Sequence, residues 1–349
     1  MTTQRLSFYK SLPKIDLHRH MEGSVRISTL LEVRREHGMP VPGTGQLNDL
    51  VQIGQDDRFT TENFLSKFMT LRQFYKSPEI IKRITRETIM DAAADNVRYL
   101  ELRFSPVALS REENFPLPEV MDWVIDSANE TQNELNILVQ MIASVNRHES
   151  LQLAEQIARL AVDRIERGIV GLDLAGDEAR FSGLEFAGIF REARQSGLHV
   201  TIHAGEWAGP QSVRNAILHL QAERIGHGIR VLEDPEVAEL ARSRGIPFET
   251  CLTSNVQSGV VQQASAHPLP KMLEMGINAT INTDDPSISQ ITLSDEYSYA
   301  CEVLNISWAS LRERIIAAAN AAFLPEDKKK AFVEAFSSEV NRYNLKKNR

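Results

Sequence analysis

Two histidines near the start of the chain, in the stretch PKIDLHRHMEGS (13–24), are spaced so that they can act together. His18 and His20 follow an apolar run two residues apart, and on a β-strand the side chains at positions i and i+2 point to the same face. Both imidazoles would then converge on one spot, which suggests a metal ion. An H-x-H pair taken alone matches by accident more often than it binds metal, so the rest of the chain must decide.

The remaining chain places further metal ligands and acid–base groups at comparable positions. Of the nine histidines, four (His18, His20, His203 and His227) come at the ends of predicted strands. Carboxylates stand at such ends too, in DLAGDE (173–178), HAGE (203–206) and NTDDP (282–286). The five other histidines, His267 among them, are predicted to be structural or solvated. This clustering favours a site built from strand ends.

A first shell of three nitrogens and one oxygen would come from His18, His20, His203 and one carboxylate of NTDDP. Such a donor set suits zinc, and iron(II), cobalt or manganese would also accept it. Two-metal barrel hydrolases commonly bridge their ions with a modified lysine on the fourth strand, but IVGLDLAGDE (169–178) contains no lysine. One metal ion per chain is therefore expected, with a coordination position kept for water.

Two residues beyond this shell are candidates for proton transfer. Glu206 comes three residues after His203, just past its strand, where it can serve as a proton donor or acceptor rather than as a ligand. His227, framed by glycines, can be a fourth nitrogen ligand or a base that orients the metal-bound water. Either residue alone would be better explained as a hydrogen-bonded residue at the barrel rim. The joint occurrence of these groups with the metal ligands is better explained by an active site. Cys251 is expected to be a buried small side chain rather than a nucleophile.

These residues have to be positioned by a regular scaffold, and the chain alternates β-rich runs with amphipathic helical stretches. The runs are 14–20, 97–105, 136–145, 169–176, 199–206, 224–229, 247–255 and 278–285. A typical helical stretch is SLQLAEQIARLAVDRIERG (150–168), whose apolar residues recur at three and four and which closes on Gly168. Eight strands alternating with helices predict an α/β fold, the (β/α)8 TIM barrel, whose active sites lie at the C-terminal strand ends. An open doubly wound sheet is the rival fold, but its G-x-G-x-x-G signature is absent.

The alternation of strands and helices is interrupted once. Residues 24–96 contain helical patterns and no convincing strand, so we predict a helical insertion between the first and second strands that covers the barrel mouth. A chain of this length is usually expected to form about two domains, but (β/α)8 barrels of this length are often single domains. We therefore expect residues 1–349 to form a single domain.

Composition restricts the partners. A net charge of -8 argues against a polynucleotide, because phosphate binding requires concentrated Lys and Arg. The two cysteines, Cys251 and Cys301, exclude a disulfide framework. The first ten residues lack the apolar core of a signal peptide, and no apolar run can span a membrane, so a cytoplasmic protein is expected. No feature of the sequence points to a particular oligomeric state.

With these residues in place, the chain closely resembles the adenosine deaminase family, a branch of the metal-dependent amidohydrolase barrels. The similarity runs from about Leu12 to Lys330 and rests on seven motifs in the family's order. They are LHRHMEGS, LELRFSP, LDLAGDE, HAGE, RIGHGI, CLTSN and NTDDP. The resemblance implies hydrolytic removal of the 6-amino group of a purine as ammonia, with one Zn2+ per chain.

The resemblance also implies roles for individual residues. The residues matching zinc ligands are His18, His20, His203 and Asp284. Among the catalytic groups, Glu206 matches the acid that protonates ring nitrogen N1, His227 matches the residue that orients and deprotonates the zinc-bound water, and Asp284 can accept a hydrogen bond from that water. The substrate pocket would include His20, Glu22, Gly176 as backbone donor to N3, and Asp285 facing N7.

One departure bears on the substrate. At Glu22 most related adenosine deaminases carry Asp, which contacts the ribose 5′-hydroxyl, and the H-x-E-G form is more usual in members acting on adenine or aminodeoxyfutalosine. FSP (104–106), NTDDPSIS and TLSDEY (292–297) instead resemble the nucleoside branch. The expected substrates are adenosine and 2′-deoxyadenosine, giving inosine and 2′-deoxyinosine, with another 6-aminopurine compound such as adenine or aminodeoxyfutalosine as the alternative. A non-catalytic binding barrel would be supported by loss of a ligand or of Glu206, and neither is lost.

Overall fold

The computed structural model describes residues 3–40 and 44–343. Within these ranges eight parallel strands follow one another around a sheet in sequence order. They are β1 (Lys14–His20), β2 (Val97–Phe104), β3 (Leu138–Asn146), β4 (Ile169–Ala175), β5 (His199–Ala204), β6 (Arg224–His227), β7 (Pro247–Thr250) and β8 (Asn278–Ile281).

The two edges of this sheet meet just beyond β8. The backbone N–H of Asp284 donates to the carbonyl of His18 at 2.7 Å, and the N–H of His20 donates to the carbonyl of Asp284 at 2.8 Å. A parallel bridge between Arg19 and Asp284 accompanies these bonds. The predicted (β/α)8 barrel is therefore confirmed, and the closure itself brings Asp284 beside the two histidines of β1.

Helices alternate with the strands and cover the outside of the sheet, which is why the strands are buried along nearly their whole length. The α-helices are α1 (Thr3–Ser11), α2 (Ile27–Glu36), α3 (Thr44–Val51), α4 (Thr61–Leu71), α5 (Pro78–Ala94), α6 (Pro106–Ser110), α7 (Leu117–Glu134), α8 (Leu151–Val162), α9 (Ala187–Gln195), α10 (Pro210–Leu218), α11 (Pro235–Ser243), α12 (Leu252–Gln257), α13 (Leu269–Glu274), α14 (Pro286–Ser289), α15 (Leu293–Glu302), α16 (Trp308–Ala321) and α17 (Glu326–Asn341). Short 3-10 helices occur at Glu22–Ser24, Arg72–Phe74, Ile165–Arg167, Leu184–Phe186, Ile229–Glu233 and Ala264–Ala266. Within the described ranges, no helix is both long enough and apolar enough to cross a membrane.

Helix α8 shows how sequence fixes such an element. The Ser150 side chain accepts the N–H of Leu153, which caps the first turn. The helix then buries Ala154, Ile157 and Ala161, spaced at three and four residues. A 3-10 turn follows, and Gly168 takes φ of 105°, a left-handed conformation that glycine adopts without strain.

The segment between β1 and β2 is helical, as its pattern predicts, and holds α2, α3, α4 and α5. Helix α5 packs against β2 and α7 as an ordinary barrel helix. Helix α4 instead lines the cavity at the barrel mouth with Leu65, Phe68 and Met69. The assignment of 1–349 to one domain with 24–96 as its insertion stays a prediction, and residues 1–2, 41–43 and 344–349 lie outside the described ranges.

Two predicted strands extend furthest beyond the observed ones, by five and four residues. The run 247–255 is a strand only to Thr250, because α12 begins at Leu252, where the Glu296 carboxylate accepts the N–H groups of Leu252 at 2.6 Å and Thr253 at 3.1 Å. The run 278–285 ends at Ile281, and Asp284 turns with φ of 65°. The Glu296 contact in the first case, and the bridge between Asp284 and Arg19 in the second, join residues far apart in sequence, so a local pattern does not reveal where these strands end.

Candidate active site

Four side-chain atoms converge where β1, β5 and the loop after β8 meet. The Nε2 atom of His18 lies 3.1 Å from Nε2 of His203 and 3.3 Å from Oδ1 of Asp284. The Nε2 atom of His20 lies 3.3 Å from Nε2 of His203 and 3.4 Å from Oδ1 of Asp284. Tetrahedral zinc, with bonds of about 2.0–2.1 Å, separates neighbouring ligand atoms by about 3.3 Å. The four residues thus form a possible metal site of suitable size.

Two carboxylates behind the histidines decide which ring nitrogens face this site. Glu249 Oε2 lies 2.7 Å from Nδ1 of His18, and Asp173 Oδ1 lies 2.9 Å from Nδ1 of His203. A carboxylate accepts the Nδ1–H, so each ring in its neutral form directs the lone pair of Nε2 into the site. Lone pairs facing one another at 3.1 Å repel unless a cation lies between them. This donor arrangement fits a bound metal ion.

The carboxylates are themselves held by buried arginines inside the barrel. Arg103 donates to Glu249 at 2.8 Å and lies 3.5 Å from Oδ2 of Asp173. Arg224 donates to Glu249 at 2.6 Å and also pairs with Glu101. Although burial raises the pKa of Glu249, Arg224 and Arg103 hold it well below its usual range. Sequence reasoning missed this network, although the charged residues alternating within LELRF were a signal that the interior of the barrel is polar.

Asp284 is oriented by its backbone and by one hydroxyl. Its φ of 65° turns the side chain back over the strand ends. The Oγ–H of Ser254 donates to Oδ2 of Asp284 at 2.6 Å, which leaves Oδ1 directed at the histidines. Ser254 lies in CLTSN, so this motif contributes a residue that fixes the rotation of the carboxylate.

Glu206 and His227 lie beside the four converging atoms. The Oε2 atom of Glu206 is 3.6 Å from Nε2 of His227, and that nitrogen is 3.9 Å from Oδ2 of Asp284. Glu206 is buried, and burial together with the Asp284 and Glu178 carboxylates raises its pKa well above the usual range. A carboxyl that stays protonated near neutral pH can donate a proton, which is what a general acid requires.

A chain of hydrogen bonds determines which nitrogen of His227 carries the proton. The N–H of Leu269 donates to Nδ1 of His267 at 3.1 Å, so the proton of neutral His267 lies on Nε2. That Nε2–H reaches Oδ1 of Asn255 at 3.2 Å, and the Asn255 amide nitrogen lies 3.1 Å from Nδ1 of His227. Burial lowers the pKa of His227 well below its usual range. Neutral His227 therefore presents an N–H at Nε2 towards Glu206 and Asp284.

A cavity of about 1620 Å³ opens above these groups. Glu22, Gly176 and Asp285 line it, together with Phe68 and Met69 of α4. The Glu22 carboxylate accepts the N–H of Ser105 at 2.6 Å, and burial raises its pKa to about 7. The walls of the cavity are thus partly apolar, while its floor carries the possible metal site and ionisable groups.

Asp285 is buried against the backbone of Gly23. A Cβ at position 23 would stand 1.7 Å from Oδ1 of Asp285, so only glycine permits this approach. Among the described residues, this Oδ1 atom has no hydrogen-bond partner. Burial and the neighbouring Asp284 carboxylate raise the pKa of Asp285 well above its usual range. A buried carboxyl with a free position at the cavity wall can accept or donate a hydrogen bond to a ligand.

Eight of the nine predicted site residues line one cavity, and the ninth, His18, belongs to the possible metal site. Cys251 is buried, and burial raises the pKa of its thiol well above the usual range, as expected for a small buried side chain rather than a nucleophile. His267 is buried and structural, and it also belongs to the hydrogen-bond chain that ends on His227. Glu178, within DLAGDE, was not predicted as a site residue, yet it contacts the loop that carries Glu206.

Fold and site together define a (β/α)8 barrel with a possible metal centre at the C-terminal strand ends, where barrel enzymes carry their active sites. The family profile described as "Adenosine deaminase" matches residues 13–339. This chain belongs to the adenosine deaminase family.

Named relatives and solved structures agree with this assignment. An adenosine deaminase of Klebsiella pneumoniae subsp. pneumoniae is 36% identical over 327 residues, which are 93% of this chain and 97% of the relative. An adenosine deaminase of Shigella flexneri is 36% identical over 326 residues, which are also 93% of this chain and 97% of the relative. Arabidopsis ADAL complexed with GMP superposes with a TM-score of 0.86 at 28% identity, covering 97% of this chain and 100% of that chain. An Arthrobacter aurescens adenine deaminase, with a TM-score of 0.85, 23% identity and 95% and 100% coverage, shares the fold.

Proposed function

We propose that the protein hydrolyses adenosine and 2′-deoxyadenosine to inosine and 2′-deoxyinosine with release of ammonia. The names of the relatives support this reaction. The single observation that carries this proposal is that the hydrogen-bond donors of the cavity match the acceptors of a 6-aminopurine ring. The ring nitrogens N1, N3 and N7 of a 6-aminopurine accept hydrogen bonds, and the cavity offers three donors. Burial raises the pKa of the Glu206 and Asp285 carboxyls and so favours their protonated form, and Gly176 lines the cavity, where its backbone N–H would be the third donor.

The same match discriminates against other purines. A guanine ring carries a proton on N1, so it would set one donor against the protonated carboxyl of Glu206. An unmatched buried donor costs about 1–3 kcal/mol. The 6-amino form is therefore the purine that the three donors select.

We propose zinc as the metal, one ion per chain, held by His18, His20, His203 and Asp284. Three imidazole nitrogens and a carboxylate are a donor set that zinc favours. When bound, the ion would lower the pKa of a water molecule and so supply a nucleophile at neutral pH. The carboxylates of Asp173 and Glu249 would hold two of the ligand rings in the orientation that the ion requires.

The protein's own groups would then act on water and on the ring. His227, through its Nε2–H, would orient the attacking oxygen towards C6. The resemblance also implies that His227 removes a proton, but burial disfavours the imidazolium that this would form, so we assign it the orienting role. Glu206 would donate its proton to N1 as the C6–O bond forms, because attack at C6 is costly unless N1 is protonated. The ring keeps that proton at N1. Of the two protons of the water, the one released as it ionises would restore Glu206, and the other would pass to the leaving amino group and complete ammonia.

The runner-up is another 6-aminopurine compound, and two observations support keeping it. Glu22 stands where most related deaminases carry Asp, and the cavity of about 1620 Å³ exceeds the roughly 300–1,000 Å³ usual for a small-molecule site. Adenine, aminodeoxyfutalosine and AMP are the compounds to compare, AMP because the similar Arabidopsis protein was solved with a nucleotide.

Ultraviolet spectra of the purified protein with each compound test the proposal, since conversion of a 6-amino to a 6-oxo purine changes the spectrum. Adenosine and 2′-deoxyadenosine should give the highest kcat/KM of the five. If adenine, AMP or aminodeoxyfutalosine is preferred, the substrate assignment is wrong. If none of the five reacts in the presence of zinc, the deaminase assignment is wrong.

A further inference from the structure

The Glu178 carboxylate accepts hydrogen bonds from four consecutive backbone N–H groups. Its Oε1 accepts from Gly205 at 2.6 Å, and its Oε2 accepts from Glu206 at 3.0 Å, Trp207 at 2.9 Å and Ala208 at 3.0 Å. The Glu178 side chain is buried, although it lies on the loop after β4 rather than in the core. The mechanism proposed above gives this residue no role.

The loop that Glu178 holds has no regular structure of its own. Strand β5 ends at Ala204 and helix α10 begins at Pro210, so residues 205–208 belong to neither element. Gly205 takes φ of 72°, which turns the following N–H groups towards one point. Buried N–H groups need acceptors, and a single carboxylate supplies all four. These four N–H groups therefore depend on Glu178 for their acceptor.

This loop carries Glu206. We propose that Glu178 is a positioning residue for Glu206: by fixing the backbone of residues 205–208, it sets where the Glu206 carboxyl stands against the substrate ring. The inference rests on the proposed function, because it assigns Glu178 an effect on proton donation to N1. The negative charge of Glu178 acts in the same direction, since with burial and Asp284 it raises the pKa of Glu206 and favours the protonated acid.

Glu178→Gln is the appropriate variant, because it keeps the side-chain length but replaces one acceptor oxygen by an NH2 group. That NH2 would face backbone N–H donors, so the loop must rearrange. Misplacing a catalytic group by about 1 Å costs up to about 100-fold in rate. We expect kcat to fall about 10- to 100-fold with KM changed little. The exposed Glu185→Gln loses the same charge in the segment after β4 and should leave both constants unchanged.

A double-mutant cycle separates positioning from a merely structural effect. If Glu178 acts through Glu206, then adding Glu178→Gln to Glu206→Gln should lower the residual kcat by less than about threefold, because the group being positioned is already gone. An equal loss in both backgrounds would overturn the proposal, as would an unchanged kcat in the single variant. If Glu178→Gln does not fold, Glu178→Asp, which keeps the charge but has shorter reach, takes its place in the same cycle.

A second readout does not depend on deaminase activity. Hydrogen exchange of peptides covering residues 204–209 should be faster in Glu178→Gln than in the wild type, while peptides from the other strand ends should be unchanged. Unchanged exchange in this loop would show that Glu178 does not hold it, and would overturn the inference even in an active enzyme. If the wild type deaminates none of the test compounds, the proposed function and this inference both fail, whereas an additive cycle in an active enzyme refutes the inference alone.

Discussion

The Oδ1 atom of Asp173 lies 2.9 Å from Nδ1 of His203, and this contact sets the direction in which the imidazole presents its other nitrogen, Nε2. The same carboxylate accepts the Ser144 hydroxyl at 3.1 Å and lies close to Arg103, so its own position is fixed. The possible metal site is thereby tied to the charged interior of the barrel.

Replacing Asp173 should weaken metal binding. In Asp173→Asn the amide oxygen can still accept the Nδ1–H, but the negative charge that strengthens the donor character of His203 is lost. We expect zinc affinity, measured by competition with a chromophoric chelator, to fall about 10- to 100-fold. Asp95→Asn is the matched control, because Asp95 is buried, accepts the N–H of Ser294 at 2.9 Å and is not among the residues of the metal site. Equal affinity losses in both variants would contradict the positioning of His203 by Asp173.

The protein should hold one metal ion per chain. Among the described residues, the two groups of side chains that could bind an ion share His18 and Asp284, so they cannot be filled independently. Elemental analysis of the purified protein should give about one equivalent of transition metal, and exhaustive chelation should abolish deamination, with recovery on adding zinc. Two equivalents per chain, or full activity after chelation, would refute the mononuclear site.

Glu206→Gln should abolish most of the activity without disturbing the metal. Glutamine keeps the shape and the hydrogen-bonding capacity of the side chain but has no transferable proton, and a general acid typically contributes about 10²–10⁴-fold to the rate. We expect kcat to fall by about that factor, while metal content and melting temperature stay near the wild-type values. Loss of metal together with activity would make Glu206 a ligand, and nearly intact activity would mean that the proton comes from another group.

Glu22 should act on the sugar side of the substrate. Glu22→Gln replaces a buried carboxyl at the cavity wall by an amide, whose oxygen can still accept the Ser105 N–H. We expect kcat/KM for adenosine to fall about tenfold, the value of one hydrogen bond to a charged group, with metal content unchanged. The activity towards adenine, which has no sugar, provides the internal control and should not change. Equal losses for both compounds, or no loss, would refute the ribose contact.

His267 should make the protein less stable as the pH falls. Burial lowers the pKa of His267 from 6.5 to about 3, so below pH 6.5 the unfolded state binds a proton that the folded state does not. The free energy of unfolding therefore falls as pH decreases from 6.5 towards 3, by up to about 1.4 kcal/mol per pH unit.

The variant His267→Gln isolates this effect. It cannot be protonated, while its amide can still accept the Leu269 N–H and donate to Asn255. The difference in melting temperature between the wild type and His267→Gln should narrow as the pH is lowered from 7 to 5, because only the wild type loses this contribution. A difference that is independent of pH would show that His267 is not held in the neutral form.

The sequence by itself predicted the barrel and its polar strand ends. Parallel strands covered by helices need apolar runs at regular spacing, and in a barrel their C-terminal ends must meet. Histidines and carboxylates after several such runs, as at His18, His203 and Asp284, were therefore bound to converge. This part was predictable because it depends on local periodicity and on one general rule of topology.

Other features were decided only by tertiary structure. The end of β7 depends on the Glu296 carboxylate, which is 44 residues away from Leu252 in the chain. The proton position on His227 depends on Asn255 and, through it, on His267, while the loop of Glu206 depends on Glu178. Such contacts join side chains to partners far away in sequence, so no local pattern encodes them. The sequence determined which groups meet at the strand ends, and the tertiary hydrogen bonds determined how each one is oriented and which atom carries the proton.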